Sequence, residues 1–457
     1  MSEKSFRTTQ HLCNRAWFGL SPSIQKVSVS DIFSNDSATP IAVVSKPEKI
    51  QSAMSGDVKE RKKIASEQNH ENMRKLNIAW MEQMRTSSDP LREKMTFFWH
   101  DHFASRVQQP FLTQQQNNLL RENALGNFSD LLIAVSKDPV MLRFLNNQQN
   151  KKGHPNENFA REVMELFTIG RGHYTETDIK EAARAFTGWG TDQNDNFFFH
   201  AKQHDSDPKT FRGETKNFSG EDIISNILDD KQTAVFITKK IVSSFASPDV
   251  DEKYINDLSE FFFKSQYNIK LLLKSLFSSD WFYKKEFIGT HVKSPVELII
   301  GIQKHTDSKF TDPESLIFFE RAMNQQLFAP PNVAGWPKGK QWIDSASLAF
   351  RMSMPQRIFK KEDIQFKPKD DGDVNSVKEK KKTRDFSLDV DWQKLANQFS
   401  GDQLKVFEKV EDYLLSQPTS DQNKELILKF SSKSKNEVEL TKSIFTGIMS
   451  LPEYQLC

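Results

Sequence analysis

Apolar residues spaced three and four apart recur through most of this chain, and they arrive with helix caps. The spacing is clear in "SDLLIAVSKDPVMLRFLNN", "QTAVFITKKIVSSFA", "NIKLLLKSLFSSDWFY" and "SPVELIIGIQKH", and it matches one face of an α-helix. Asp89-Pro90 sets an N-cap before a proline at the first helical position and opens "LREKMTFFWHDHFA". Thr175, with Asp178 three residues on, forms a capping-box pattern opening "ETDIKEAARAFTGWG", which Gly188 and Gly190 stop. A polar pattern over residues 55–88 carries Met73, Leu76, Trp80, Met81 and Met84, which predicts a helix laying one stripe on the body. Strand signal is confined mainly to "NFFFHAKQHDSDPKTFRGETKNF". Two short runs there flank "HDSDP", predicting a hairpin near 196–218 with His204, Asp205 and Lys209 at its tip. The fold class that follows is all-α, a large multi-helix domain with one short β-hairpin insertion.

Residues 1–366 read as the main domain, and 387–457 as C-terminal helices packing on it. Between them "KPKDDGDVNSVKEKKKTRDF" (367–386) is charged and nearly free of apolar residues, which predicts a flexible linker. The 63 Lys and Arg nearly balance 61 Asp and Glu, against a general nucleic-acid or membrane-surface binder. Cys13 and Cys457 are the only cysteines, too few for a disulfide framework or a cysteine-based zinc site. No signal-peptide core or membrane-length apolar run is seen, so a soluble, cytoplasmic protein is expected. The 37 Phe against 6 Tyr make the aromatic content mostly apolar.

Candidate chemistry centres on "NENFAREVMELF" (156–167). On a regular helix Glu157, Arg161, Glu165, Asn158 and Glu162 share one arc of roughly 140°, and apolar residues fill the rest. Such a stripe is either the wet side of a helix, with Arg161 between Glu157 and Glu165, or a set of carboxylates facing other polar groups. "FFWHDHF" (97–103) is the second candidate. On a helix His100 and His102 point about 200° apart, so at most one joins any given pocket. The aromatic residues around them imply burial, and a buried histidine needs hydrogen-bond partners. His204, Asp205 and Lys209 suit acid–base or phosphate chemistry, or a plain Asp/Pro turn. "FAPPNVAGWPKGKQWIDSASLAFRM" carries Trp336 and Trp342 on a stiff loop that walls a pocket or packs as a connector. No phosphate-binding glycine loop, dinucleotide fingerprint, nucleophile elbow or zinc-binding His-Glu-Xaa-Xaa-His helix is present.

Together, "HLCNRAWFGLSP", "FWHDHFA", "PNENFAREVMELFTIGRGHYTETDIKEAARAFTGW", "HDSDPKTFRG" and "PPNVAGWPKGKQWI" occur in the order that resembles the bacterial domain of unknown function 1800 family, over about residues 8–455. The resemblance implies no assigned reaction. It implies a partner resembling sulfatases and phosphatases, encoded nearby, and it marks the polar positions of these motifs. Similar sequences commonly read Leu-Asp-Asn where this chain has Leu145-Asn146-Asn147. A role of that aspartate as ligand or base is therefore weakened here.

The reading that joins these features is an enzyme with a buried polar centre. Glu162, Glu165, Arg161, His100, His102, His204, Asp205 and Lys209 are the candidate catalytic groups. Glu162, Glu165 and His100 would hold a divalent metal if one is bound. Hydrolytic and redox chemistry both stay open. Asn158, Trp189, Trp336 and Trp342 are candidate substrate contacts. The rival reading is a non-catalytic scaffold in which the same charges fix how helices meet, and exposed loops bind a partner protein.

Overall fold

Asp89 accepts the Arg92 amide N–H at 3.1 Å, and Pro90 begins the helix Pro90–His102. Thr175 Oγ1 accepts the Asp178 N–H at 3.1 Å while Asp178 accepts the Thr175 N–H at 2.8 Å, opening Glu176–Ala185. Both caps satisfy amide groups that a helix start otherwise leaves unpaired. Gly188 then turns the chain with a φ of 81°, a left-handed conformation that glycine adopts without steric cost. The long helix Val58–Thr86 buries Leu76, Trp80, Met81 and Met84 as its stripe implied.

The computed structural model describes residues 3–24, 26–47, 58–360 and 385–457. Among them the chain is mostly helical, with two small two-stranded sheets. One hydrophobic core runs from Leu12 near the start to Tyr454 near the end. Helix Gln403–Leu414 meets the first helix, Glu3–Ala16: Gln10 Nε2 donates to the Tyr413 carbonyl at 2.8 Å, and the Tyr413 hydroxyl to the Leu20 carbonyl at 2.8 Å. The charged stretch 367–386 lies outside the described residues except for Asp385 and Phe386. Phe386 is buried against Phe318 and Phe319, ring centres 4.6 and 5.6 Å away. No helix among the described residues is long and apolar enough to cross a membrane.

The hairpin prediction needs correcting in its pairing. Phe197–Phe199 pairs backwards with Trp189–Thr191, and Lys209–Phe211 pairs with Glu214–Lys216. The insertion is thus two successive hairpins, with His204 and Asp205 in the connection between them. The second hairpin closes through Arg212 and Gly213 at φ 49° and 84°. Two consecutive positive φ values twist a two-residue turn as the flanking strands require. That local turn captures the strand at 209–211 before it can reach back to 197–199.

A second correction concerns "NENFAREVMELF". Its first turn is α-helical over Asn158–Glu162, but Val163–Thr168 is a π-helix. Thr168 Oγ1 donates to the Val163 carbonyl at 2.5 Å inside the widened turn. A π turn advances fewer degrees per residue than an α turn. Glu165 therefore leaves the line that a regular helix draws from Glu157 through Arg161.

Candidate functional site

The glutamate stripe forms a surface network. Arg161 donates two bonds, of 2.9 and 2.8 Å, to the Glu176 carboxylate and a longer one of 3.4 Å to Glu157. The Arg161 side chain is 33 % exposed, so it is not the buried charge that a covered helix would demand. The hydrogen bonds to Glu176, chiefly, raise its pKa despite partial burial. Glu165 is paired elsewhere, with the Tyr174 hydroxyl at 2.6 Å and Arg171 at 2.5 Å. The Tyr174 bond, first, and Arg171 hold that carboxyl below its ordinary value. Glu162 is raised, by burial first and then by the neighbouring Glu165 charge.

The histidines lie elsewhere. His100 is buried, with Trp80, Phe328 and Trp336 ring centres 5.0, 5.2 and 5.3 Å away. Its Nε2 accepts the Phe328 backbone N–H at 3.1 Å, and burial lowers its pKa to about 3. It is a neutral core histidine. His102 does reach the helix of the opening motif, but at its backbone: Nε2 donates to the Phe167 carbonyl at 3.1 Å. Glu162, Glu165 and His100 accordingly do not converge. Among the described residues no three His, Cys, Asp or Glu side chains gather to hold a metal ion.

The hairpin residues brace their own insertion. Asp205 accepts from Arg184 Nε at 2.8 Å and from the Asp207 N–H at 3.0 Å. Burial opposes the Asp205 charge, yet the Arg184 bond holds its pKa below the ordinary value. Buried Lys209 donates to the Asp207 carbonyl at 3.1 Å and to Asn217 Oδ1 at 2.9 Å. His204 Nδ1 donates to the Thr187 carbonyl at 2.9 Å. These bonds clamp the connection onto helix Glu176–Ala185. None of these bonds reaches Glu162 or Glu165.

Trp189, Trp336 and Trp342 are all buried. Trp336 and Trp342 pack on Val292 in a small separate apolar cluster. The loop carrying them is tied to the histidine helix: Asp101 accepts the Trp336 N–H at 2.8 Å and pairs with Lys338 at 2.9 Å. A Cβ on Gly335 would sit 2.2 Å from Asp101 Oδ1, so only glycine fits there. Asn158 is exposed, and its side chain donates to the Leu145 carbonyl at 3.2 Å. Asn146 stands at φ 57°, a left-handed conformation that asparagine and aspartate tolerate better than most residues.

Beside Val292 lies a buried concentration of charge that the sequence reading passed over. Lys94 on Pro90–His102 forms a buried ion pair with Glu297, near the start of Pro295–His305. Glu297 also accepts the Ser294 N–H at 2.7 Å as part of a capping box and lies 3.2 Å from His291 Nε2. Lys293 donates to the Tyr454 carbonyl at 2.8 Å and stands 3.9 Å over that ring. Arg351, on Ser345–Lys360, donates to the Lys293 carbonyl and, at 3.0 Å, to Gln455 Oε1. Arg15, on the first helix, donates to the Phe287 carbonyl and Thr290 Oγ1, both at 3.2 Å.

Burial opposes the Glu297 charge, but Lys94 and His291 hold its pKa well below the carboxylate range. Burial pushes the cations down: Arg15 is lowered, Lys293 falls to about 8 and Arg351 to about 10, with Glu297 resisting in each case. Cys457 is a second acidic neighbour of Arg15 and Lys293. Four cations (Arg15, Lys94, Lys293, Arg351) thus share one side-chain carboxylate, Glu297. Several buried donors here have no partner among the described residues: Arg15 Nε and Nη1, Arg351 Nη1 and Gln455 Nε2. Asn14, next to Arg15, leaves both side-chain polar atoms unpaired. Only about one buried polar group in ten goes unpaired in folded proteins, so such a cluster calls for an acceptor.

A helical body enclosing a basic polar centre, with no recognised catalytic signature, defines the class. The family model described as "Protein of unknown function (DUF1800)" matches residues 11–456, and the chain belongs to that family. No curated protein and no solved structure matches it.

Proposed function

We propose that this protein binds an oxyanion-bearing ligand, a sulfate or phosphate or an ester of either, in the basic centre of Arg15, Lys293 and Arg351. The observation that carries this reading is a group of buried cations sharing one carboxylate, of which Arg15 and Arg351 leave N–H groups without acceptors. Guanidinium groups offer paired donors to an oxyanion, and charge-assisted bonds of that kind are the strong ones. His291, with 18 % of its side chain exposed, is the member of the group open to solvent. Held by Glu297, it is placed to move a proton for hydrolytic chemistry on the bound group. The partner implied by the family resemblance, a sulfatase- or phosphatase-like protein, would handle the same anions and belongs to the same proposal.

The scaffold reading has its own support. Glu297 is a helix cap as well as an ion-pair partner, so part of the centre serves the fold. Thermal unfolding of the full chain in sulfate or inorganic phosphate, against sodium chloride at equal ionic strength, separates the readings. Binding at 100 times Kd adds about 2.7 kcal/mol of stability. A saturable rise, absent in chloride and lost in Arg351→Met, is expected. Equal curves in all three salts would return the centre to a structural role.

A further inference from the structure

Lys240 lies outside the basic centre, half-buried on helix Lys231–Phe245 where the π-helix ends. Its Nζ donates to the Leu166 carbonyl at 2.9 Å and lies 3.2 Å from His102 Nδ1. His102 Nε2 donates to the Phe167 carbonyl, so Nδ1 is left with its lone pair and accepts from the lysine. Two acceptors therefore take two N–H groups. A neutral amine has two N–H groups and one lone pair, and this arrangement satisfies it while leaving the lone pair free. An ammonium would carry a third proton with no oxygen or nitrogen acceptor among these contacts, only the face of the Phe236 ring, 4.7 Å from Nζ to its centre. Lys338 and Asp101, themselves paired at 2.9 Å, act on Lys240 in opposite directions, and the effect of the cation is the larger.

The setting differs from those of Lys94 and Lys209. Lys94 is neutralised by Glu297, and Lys209 is surrounded by Asp205, Asp207 and Glu181. Lys240 instead has Lys338 as its main charged neighbour, a cation that disfavours a second one. A π turn beside it is a further mark, since such turns recur at functional sites.

We infer that Lys240 is a nucleophilic amine that forms an imine with a small carbonyl compound carrying a carboxylate. The amine lone pair attacks the carbonyl carbon, forming the C–N bond while the C=O π pair moves to oxygen. One proton passes from nitrogen to that oxygen, giving a carbinolamine. A second N–H proton then leaves with the hydroxyl as water, and C=N forms. Amine and carbonyl compound go to imine and one water, with no oxidant or reductant. The Lys338 ammonium favours a carboxylate on the substrate. Burial, first, and Lys338 lower Lys240 to about 7, so about half is neutral at pH 7, against about one in a few thousand for an ordinary lysine.

Lys239, exposed and paired with Glu252 at 2.8 Å, is an internal control on the same peptide. The full chain is treated with glyoxylate and cyanoborohydride, which traps imines as carboxymethyl-lysine, and both positions are quantified by fragment-ion mass spectrometry. At pH 7 Lys240 is expected to react at least about tenfold faster than Lys239, with the ratio falling at pH 10. The urea-unfolded chain, where the two are equivalent, sets the baseline ratio. A native ratio at pH 7 no greater than the unfolded one would overturn the assignment. It would leave the anion-binding proposal untouched, because that rests on other residues.

Discussion

Replacing Lys94 and Lys293 separately by methionine distinguishes a paired buried charge from a surplus one. The Lys94 and Glu297 side chains are 7 % and 9 % exposed. Removing one partner of a buried pair costs about 3–5 kcal/mol, because the other charge stays buried. Glu297 keeps the Ser294 N–H and His291, and the methionine stem still covers Phe18, which puts Lys94→Met near the lower figure. Lys293 contacts no carboxylate, only the Tyr454 carbonyl and ring. Its loss leaves one carbonyl unpaired, about 1–3 kcal/mol, but removes a cation whose burial is itself unfavourable. In the absence of sulfate or phosphate, the net change for Lys293→Met is expected within about 1 kcal/mol of zero, near the usual scale of a tolerated substitution. Urea unfolding followed by far-ultraviolet circular dichroism reads both variants on one transition. Equal destabilisation by the two would refute the division of this centre into one compensated and several uncompensated cations.

The remaining predictions concern pH and the surface network. The Lys293 pKa is depressed from 10.5 to about 8, so its contribution to stability is present above the unfolded value and is lost as pH falls through 8. That difference, about 3 kcal/mol at most, should appear as stability rising between pH 8 and 10, a rise that Lys293→Met flattens in urea titrations. Glu320 is the opposite case: burial raises it to about 8, while Asn77 donates to it at 2.7 Å. Its contribution is fully present below the unfolded value of about 4.5 and is lost as pH rises to 8, so Glu320→Gln should gain on the native chain between about pH 5 and 8 and no further above it. Arg161→Ala, at an exposed network, should cost less than about 1 kcal/mol by the same assay. A cost near that of Lys94→Met would place the stripe back in the interior.

Much of the helical frame was legible because its causes are local. A capping box needs two residues three apart, and Thr175 and Asp178 supply both halves of it. The strand pairing was not legible, because the partner of Phe197–Phe199 is set by the chain before it and by a tight turn at Arg212-Gly213 after it. The glutamate stripe failed for a third reason. A helical wheel assumes a constant angle per residue, and the π turn at Val163–Thr168 breaks that assumption within the motif itself. Burial of the tryptophans was not legible from the loop, since spacing there says nothing about which side of the molecule covers it.

The basic centre shows what signal was available and misapplied. The aromatic residues around Pro90–His102 implied that nearly the whole helix is covered, and burial was then asked to find partners for His100 and His102. The same reasoning bears harder on Lys94, four residues after Pro90, because an unpaired buried ammonium costs more than an unpaired imidazole. A lysine on a helix with no wet face must meet a carboxylate from elsewhere. Here that carboxylate is the third helical residue after Ser294, so the capping box that starts one helix also neutralises another. Arg15 follows from the same logic, within the mostly apolar run "LCNRAWFGL". Its partners then prove to be a carbonyl and a hydroxyl, with two guanidinium nitrogens left over. Sequence could therefore identify which cations need an explanation. Only the packing could show that one carboxylate is shared among several of them, and that sharing is the physical ground for expecting an anion from outside the chain.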